Sequence, residues 1–161
     1  MSQVFTIIDW QNGEVILLDQ RRLPEEEVHV HCRHPEELAA AIRNMTVRGA
    51  PAIGVAAALG LALVAQNSRT SDFQEFSREI EDTSVLLLKT RPTAVNLRWA
   101  LDKMRSFLSD NKNLPMPELK QSVILEAIKI KEDDITTNKR MGEIGQQLLE
   151  DGDTVMTICN A

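Results

Sequence analysis

Residues 48–66 read RGAPAIGVAAALGLALVAQ, and they contain the longest uncharged apolar stretch of the chain, residues 50–65. This stretch is slightly short for a membrane span and is rich in Ala and Gly. We therefore predict a helix over residues 52–66 that is apolar on all sides and lies at the centre of a helical layer in a soluble protein. Its small side chains would let neighbouring backbones come close.

The composition is that of an ordinary globular protein. The 161 residues are 43% hydrophobic and 26% charged, which allows one domain with a core, or a small domain and the start of another. The net charge of −6, the absence of a Lys/Arg patch and an aromatic content of 4% argue against nucleic-acid binding. Cys32 and Cys159 do not form a disulfide framework, and the amino terminus has no signal-type pattern, so we expect a cytoplasmic protein without membrane attachment.

The amino-terminal part of the chain predicts three strands. Two β-prone runs, residues 4–8 and 15–18, flank a segment that contains Asn12-Gly13. Both of these residues tolerate positive φ, so the pair predicts a β-hairpin. Residues 28–32 predict a short third strand.

Apolar residues at helical spacing predict further helices around the central one. The first opens near Pro35, the second follows a capping-box pattern at Ser71 and Gln74, and residues 118–150 form one long helix or two that end at Gly152. The apolar faces are Leu38, Ile42 and Met45 in the first helix, Phe73, Phe76, Ile80 and Leu87 in the next, and Leu97, Leu101, Met104 and Leu108 in the one after it.

Residues 154–160 are β-prone and follow an acidic turn. They predict the first strand of a parallel sheet, with Cys159 at the carboxyl end of the strand. In open α/β sheets this is the end where ligands bind. The thiol of Cys159 could act as an acid–base group or a nucleophile, or it could be an ordinary buried strand cysteine.

Two arginine loops are candidate anion sites. Gly49 allows close approach of the backbone, Pro51 can start the helix whose free amides favour an anion, and Arg48 adds a charged fork suited to phosphate. The same residues also fit a structural corner with a solvated Arg. In the loop at residues 90–93, Pro92 restricts Arg91 to an extended backbone, which fits a binding role or a simple surface Arg.

A metal site near residues 29–34 is disfavoured by strand geometry. His29 and His31 would face one side of a strand, while Cys32 and His34 would face the other. Four ligands could converge only if the chain made a sharp turn. We expect no metal there.

Four stretches taken together resemble a known family. They are residues 9–24, 47–54 (VRGAPAIG), 90–97 (TRPTAVNL) and 157–161 (TICNA). In this order they are similar to the 5-methylthioribose-1-phosphate isomerases of methionine salvage, which belong to a superfamily with the regulatory subunits of translation initiation factor 2B and the ribose-1,5-bisphosphate isomerases. The resemblance covers essentially the whole chain.

The resemblance implies roles for five residues. Arg48, Gly49, Ala50 and Arg91 match positions that bind the substrate and its phosphate, and Cys159 matches the catalytic cysteine. The family's catalytic Asp, a Gln and an Asn-Lys pair lie further along the chain than this sequence extends. The implied reaction opens the ring of an aldose 1-phosphate and moves a hydrogen from C2 to C1, with no metal or organic cofactor.

The implied fold is α/β. A hairpin and helical domain would span residues 1–130, and a connecting helix with the first strand of an incomplete Rossmann-like catalytic domain would span residues 131–161. We expect the chain alone to be inactive, with the carboxyl-terminal part of the same protein as its partner and a homodimer when complete.

One departure from the pattern leaves two alternatives open. Many members carry His where this chain has Ile158. The alternatives are a ribose-1,5-bisphosphate isomerase and a non-catalytic regulatory subunit of the initiation factor 2B type. The hairpin and connector at residues 10–24 favour the methylthioribose enzyme. The presence of Arg48, Arg91 and Cys159 together argues against a non-catalytic subunit.

Overall fold

The computed structural model describes residues 6–156, in which a small antiparallel sheet lies beside five α-helices. The strands, in sheet order, are β1 (Ile8–Gln11), β2 (Glu14–Leu18) and β3 (His29–Cys32). The helices are α1 (Pro35–Arg43), α2 (Ala50–Asn67), α3 (Phe73–Leu88), α4 (Val95–Asp110) and α5 (Met116–Gly145), followed by a 3₁₀ helix at Gln146–Leu148.

Helix α2 is the centre of the core, as the sequence predicts. Every residue from 53 to 65 is buried, and α2 contacts the other four helices and the sheet. By length and composition it could cross a membrane, but 72% of it is buried inside the protein. Its apolar surface is therefore covered by the rest of the chain, as in the core helix of a soluble protein.

The hairpin is present, but its first strand lies later than predicted. Asn12 and Gly13 form the two-residue turn with φ of 52° and 80°, and Gln11 pairs with Glu14. Because a two-residue turn brings its flanking residues into register, β1 must run up to Gln11. Of the predicted strand at residues 4–8, Ile8 belongs to β1 and residues 6 and 7 are not in a strand, while residues 4 and 5 lie outside the described residues. The predicted third strand is confirmed as β3.

Two helix boundaries also differ from the prediction. Met45 is not on the face of α1: its φ is +65° and its side chain is 44% exposed. Helix α3 is capped by Asp72, whose carboxylate accepts a hydrogen bond of 2.8 Å from the amide of Glu75. The capping residue is therefore Asp72 and not the preceding Ser71, because the carboxylate of Asp72 reaches the third amide of the helix. The other predicted face residues of α1, α3 and α4 are buried, except Phe73, which is half-buried and packs against the core.

Helix α5 is one continuous helix that ends at Gly145, not at Gly152. Gly152 lies in a later turn with φ of +95°. The last buried residue of α5 is Ile130, and no residue from 131 to 156 is buried. Residues 154–156 have no regular structure, and the rest of the predicted parallel strand, residues 157–160, lies outside the described residues. The domain division and the Rossmann-like part stay predictions.

Candidate functional site

A cleft of about 410 Å³ lies where α2 and α4 begin. Arg48, Gly49 and Ala50 contribute to it from the start of α2, and Arg91 contributes from the loop before α4. The structure therefore brings together the four residues that the sequence resemblance assigns to substrate and phosphate. The remaining lining residues are Met45, Ile53, Thr93, Ala94, Val95 and Asn96.

The loop that carries Arg48 is held from two sides. The side-chain oxygen of Asn44 accepts hydrogen bonds from the amide (3.0 Å) and the hydroxyl (2.7 Å) of Thr46. The amide of Gln20, in the connector after β2, donates to the carbonyl of Thr46 at 3.0 Å, and its side chain donates to the carbonyl of Arg48 at 3.4 Å. Val47 is fully buried. Thr46 and Val47 are thus anchored in the core, and Arg48 is exposed next to them.

Gly49 is the residue that caps α2, with φ of 94° and ψ of 132°. An added Cβ would meet nothing within 4 Å, so it is the backbone conformation and not the available space that requires glycine here. No side chain caps this helix, and its first turn has no acidic residue. The amides at its start are therefore available to an anion, and the positive end of the helix dipole is uncompensated.

Helix α4 begins in the same way at the opposite wall of the cleft. Its capping residue is Ala94, no side chain caps it, and its first turn has no acidic residue. By contrast, the first turns of α1, α3 and α5 each carry at least one Glu. The two helix starts without acidic or side-chain compensation are the two that line the cleft, where the backbone amides favour an anion.

A close backbone contact brings these two helix starts together. A Cβ built on Gly54 of α2 would lie 3.0 Å from the carbonyl oxygen of Asn96 and 3.3 Å from its Cβ. Any larger residue at position 54 would push the start of α4 away from α2. Gly54 therefore sets the width of the cleft.

The charge of the cleft is positive and unpaired. Arg48 is exposed and Arg91 is half-buried, and within residues 6–156 neither side chain forms an ion pair or a hydrogen bond. No Asp or Glu lines the cleft. Arg21, in contrast, forms a bidentate pair with the buried Asp19. Two free guanidinium forks and two open helix starts match the charge and the geometry of a phosphate group.

The predicted catalytic residue, Cys159, lies outside the described residues. The other cysteine, Cys32, is fully buried, and burial, followed by the charge of Glu37, raises its pKa to about 11. Its thiol is therefore protonated near neutral pH and is not a nucleophile.

His31 approaches Glu14, with 3.0 Å between Nδ1 and Oε2. In the described part of the chain, no three His, Cys, Asp or Glu side chains are grouped as metal ligands.

Sequence reasoning missed the contribution of the α4 start. Thr93, Val95 and Asn96 line the cleft and belong to the motif TRPTAVNL, yet only Arg91 was singled out within it. The missed signal is the lack of any acidic or capping residue where this helix begins. Such a start is typical of helices whose amides bind a ligand.

Comparisons with known proteins agree with this architecture. A sequence model described as the Initiation factor 2 subunit family matches residues 46–161. The chain is 41% identical over 157 residues to a methylthioribose-1-phosphate isomerase of Geobacter sulfurreducens, covering 98% of the chain and 45% of the relative. It is 48% identical over 158 residues to one of Petrotoga mobilis, covering 96% of the chain and 45% of the relative. The chain thus spans about 45% of the length of the curated relatives it matches.

Solved structures give the same result. A crystal structure of 5-methylthioribose 1-phosphate isomerase from Pyrococcus horikoshii OT3 matches with a TM-score of 0.87 and 42% identity over 91% of the chain and 41% of that structure. A structure described as translation initiation factor eIF-2B, subunit delta, from A. fulgidus matches with a TM-score of 0.82 and 40% identity over 91% of the chain and 42% of that structure.

Proposed function

The chain belongs to the Initiation factor 2 subunit family, and from this we propose that it is the phosphate-binding portion of an isomerase that converts 5-methylthioribose 1-phosphate to 5-methylthioribulose 1-phosphate in methionine salvage. The observation that carries the proposal is the cleft: two unpaired arginines, Arg48 and Arg91, converge on two uncapped helix starts. The names of the similar proteins supply the identity of the sugar.

The cleft holds the substrate through its phosphate. The three terminal oxygens of the phosphate monoester accept hydrogen bonds from both guanidinium forks, and the same oxygens also accept from the amides at Gly49 and Ala50 and at the start of α4. Because the phosphate sits on C1, its position determines where C1 and C2 lie. Binding at this end therefore orients the two carbons between which hydrogen moves.

The chemistry needs groups beyond this cleft. The phosphate on C1 blocks a free aldehyde, so the ring must be opened before hydrogen moves from C2 to C1. We assign Cys159 as the catalytic residue by its match to the family motif, and we assign the other reacting groups to the part of the polypeptide that the relatives possess and this chain does not cover. The reaction requires no organic cofactor, and the complete protein is proposed to be a cytoplasmic homodimer.

It follows that residues 1–161 alone do not turn over substrate. General acid–base groups contribute about 10²–10⁴-fold each, so a chain that lacks them falls far below an ordinary enzyme. A coupled assay for the ketose product with the purified chain is expected to show no turnover above background. Turnover at the rate of an ordinary enzyme would disprove this part of the proposal.

The phosphate site is tested by calorimetric titration of the chain with inorganic phosphate and with 5-methylthioribose 1-phosphate. Charged hydrogen bonds contribute about 1.5–3 kcal/mol each, so Arg48→Ala and Arg91→Ala should each weaken both ligands by roughly ten- to a hundred-fold. Arg98→Ala is the matched control, because Arg98 is an exposed arginine of α4 that does not line the cleft. Unchanged affinity in the Arg48 and Arg91 variants, with the fold intact, would remove both residues from a binding role.

A non-catalytic role is the second candidate, and the observation in its favour is the structure from A. fulgidus, which is described as a translation factor subunit. The same titration separates the two functions. An isomerase fragment should bind the sugar phosphate more tightly than inorganic phosphate. A regulatory subunit that does not recognise the sugar should bind both ligands with similar affinity. A ribose-1,5-bisphosphate isomerase would instead prefer a ligand with a second phosphate.

A further inference from the structure

We infer that Val95 and Trp99, one turn apart on α4, form the subsite for the uncharged, apolar end of the phosphosugar, and that Trp99 is a specificity-determining residue. The inference rests on the proposed function, since it requires the phosphate to bind where Arg48 and Arg91 meet. It adds a second region of the protein that recognises the opposite end of the same substrate.

A second cavity adjoins the phosphate cleft. A cavity of about 530 Å³ lies between α4 and α5, with Val95, Trp99 and Lys103 on one wall and residues 130–137 of α5 on the other. This cavity and the phosphate cleft share Val95 and Asn96 as lining residues. A ligand bound by its phosphate at the start of α4 can therefore extend directly along the helix into the second cavity.

The spacing of Val95 and Trp99 along α4 matches the length of the substrate. Trp99 is four residues after Val95, and an α-helix rises 1.5 Å per residue, so the Cα of Trp99 lies about 6 Å further along the axis. A pentose 1-phosphate substituted at C5 carries its phosphate and its substituent on opposite sides of the ring, separated by a similar span. With the phosphate at the helix start, the C5 substituent reaches the level of Trp99.

Val95 and Trp99 are both exposed, which is unusual for large apolar side chains of this helix. Val95 is 77% exposed and Trp99 is 55% exposed, whereas Leu97, Ala100 and Leu101 of the same helix are fully buried. Large apolar side chains exposed beside a polar cleft are a common feature of small-molecule sites, in which an apolar wall meets a few polar groups. Sulfur in a thioether also makes favourable contacts with aromatic rings.

The charges of the cavity select against a second phosphate. Lys103 lies with its Nζ 5.5 Å from the centroid of the Trp99 ring, within the range of a cation–π contact. The opposite wall carries Asp133 and Asp134. Lys103 is paired with Glu126 at 3.4 Å and Asp133 is paired with Lys129 at 2.7 Å. Lys103 is therefore not a free cation for a second phosphate, and Asp134 repels a dianion but tolerates an uncharged methylthio group. The cavity thus fits a 5-methylthio substituent better than a 5-phosphate.

The test compares three ligands by calorimetry on the chain of 161 residues: 5-methylthioribose 1-phosphate, ribose 1-phosphate and inorganic phosphate. The wild-type chain should bind the methylthio compound about tenfold more tightly than ribose 1-phosphate. Trp99→Ala should abolish most of this preference and leave inorganic phosphate unchanged, while Trp99→Phe should retain most of it. Leu125→Ala is the control, because Leu125 is also 55% exposed but lies outside the cavity.

Fluorescence supplies an independent readout. The chain has two tryptophans, so Trp10→Phe leaves Trp99 as the single emitter. The methylthio compound should then change the emission, and inorganic phosphate should change it far less. A preference that survives Trp99→Ala, or a loss of affinity that is equal for all three ligands, would overturn the inference.

The outcomes also separate this inference from the proposed function. If inorganic phosphate binds and depends on Arg48 and Arg91, but the wild-type chain does not distinguish the methylthio compound from ribose 1-phosphate, only the Trp99 subsite is wrong, and the cavity does not bind this part of the substrate. If phosphate binding does not depend on the two arginines, the proposed function fails and the subsite fails with it.

Discussion

Replacing Gly49 by alanine should destabilise the protein, although the added methyl group has free space around it. Gly49 has φ of 94° and ψ of 132°, and a Cβ at this position meets no atom within 4 Å. The whole effect must therefore come from the backbone conformation. Gly142 in α5 provides a matched control, because its Cβ also meets nothing within 4 Å but its backbone is helical.

The two substitutions should have opposite signs. A residue with a side chain that is held in a sparsely populated backbone region costs about 1–3 kcal/mol, so Gly49→Ala should lower the free energy of unfolding by about that amount. In a helix interior, alanine is favoured over glycine by about 0.5–1 kcal/mol, so Gly142→Ala should raise it. The difference between the two variants is then about 1.5–4 kcal/mol, which exceeds the error of a denaturation experiment.

Urea unfolding followed by circular dichroism measures both values on the same scale. If Gly49→Ala keeps its fold by changing the loop conformation, Arg48 moves with it, and phosphate affinity falls while the loss of stability is smaller. A Gly49→Ala variant that matches the wild type in both stability and phosphate affinity would refute the argument from φ. Two variants that shift in the same direction would refute it as well.

Three further predictions concern the core and the sheet. Gly54→Ala should weaken phosphate binding, measured by calorimetry, about tenfold, because the added Cβ meets the backbone of α4. Gly60→Ala is the control: its Cβ meets only the ends of leucine side chains, so the phosphate affinity should be unchanged. Cys32 should resist alkylation by iodoacetamide at pH 8 until the chain unfolds. Because burial raises the pKa of the folded thiol to about 11, the protonated thiol stabilises the folded state, and in urea titrations this stabilisation should be lost as the pH rises from about 8.5 towards that value. The pair of Asp9 and Lys131 (2.5 Å) links the sheet to α5. Burial opposes the ionisation of Asp9, but its hydrogen bonds, led by the one from Lys131, leave its pKa lowered. The pair therefore stabilises the folded state above about pH 4, and this stabilisation is lost as the pH falls through the folded pKa. Lys131→Ala should cost roughly 1–3 kcal/mol at pH 7 and flatten that acid dependence, and an unchanged acid profile would contradict this assignment.

The elements with strong local signals could be predicted from the sequence. The apolar run of residues 50–65 identified α2 as the central helix, and Asn12-Gly13 identified the hairpin turn. The first and last residues of the strands and helices could not be predicted as well, because they depend on which group caps a helix and which strand residues pair. The first strand was predicted too early because Asp9 and Gln11 are polar and interrupt the β-prone pattern. The hairpin turn nevertheless determines the register and extends the strand to Gln11.

For the candidate site, the sequence by itself determined the residue types and the conformational limits of two loops: a glycine where φ is positive, a proline after it, and one arginine in each loop. Such features are local, because they follow from the sterics and charge of neighbouring residues. Only the tertiary structure decided that Arg48 and Arg91 share one cleft and that no carboxylate neutralises them in the described part of the chain. That convergence depends on the packing of α2 against α4 at Gly54, where the absence of a Cβ lets two distant segments meet, and no local pattern encodes the distance between them.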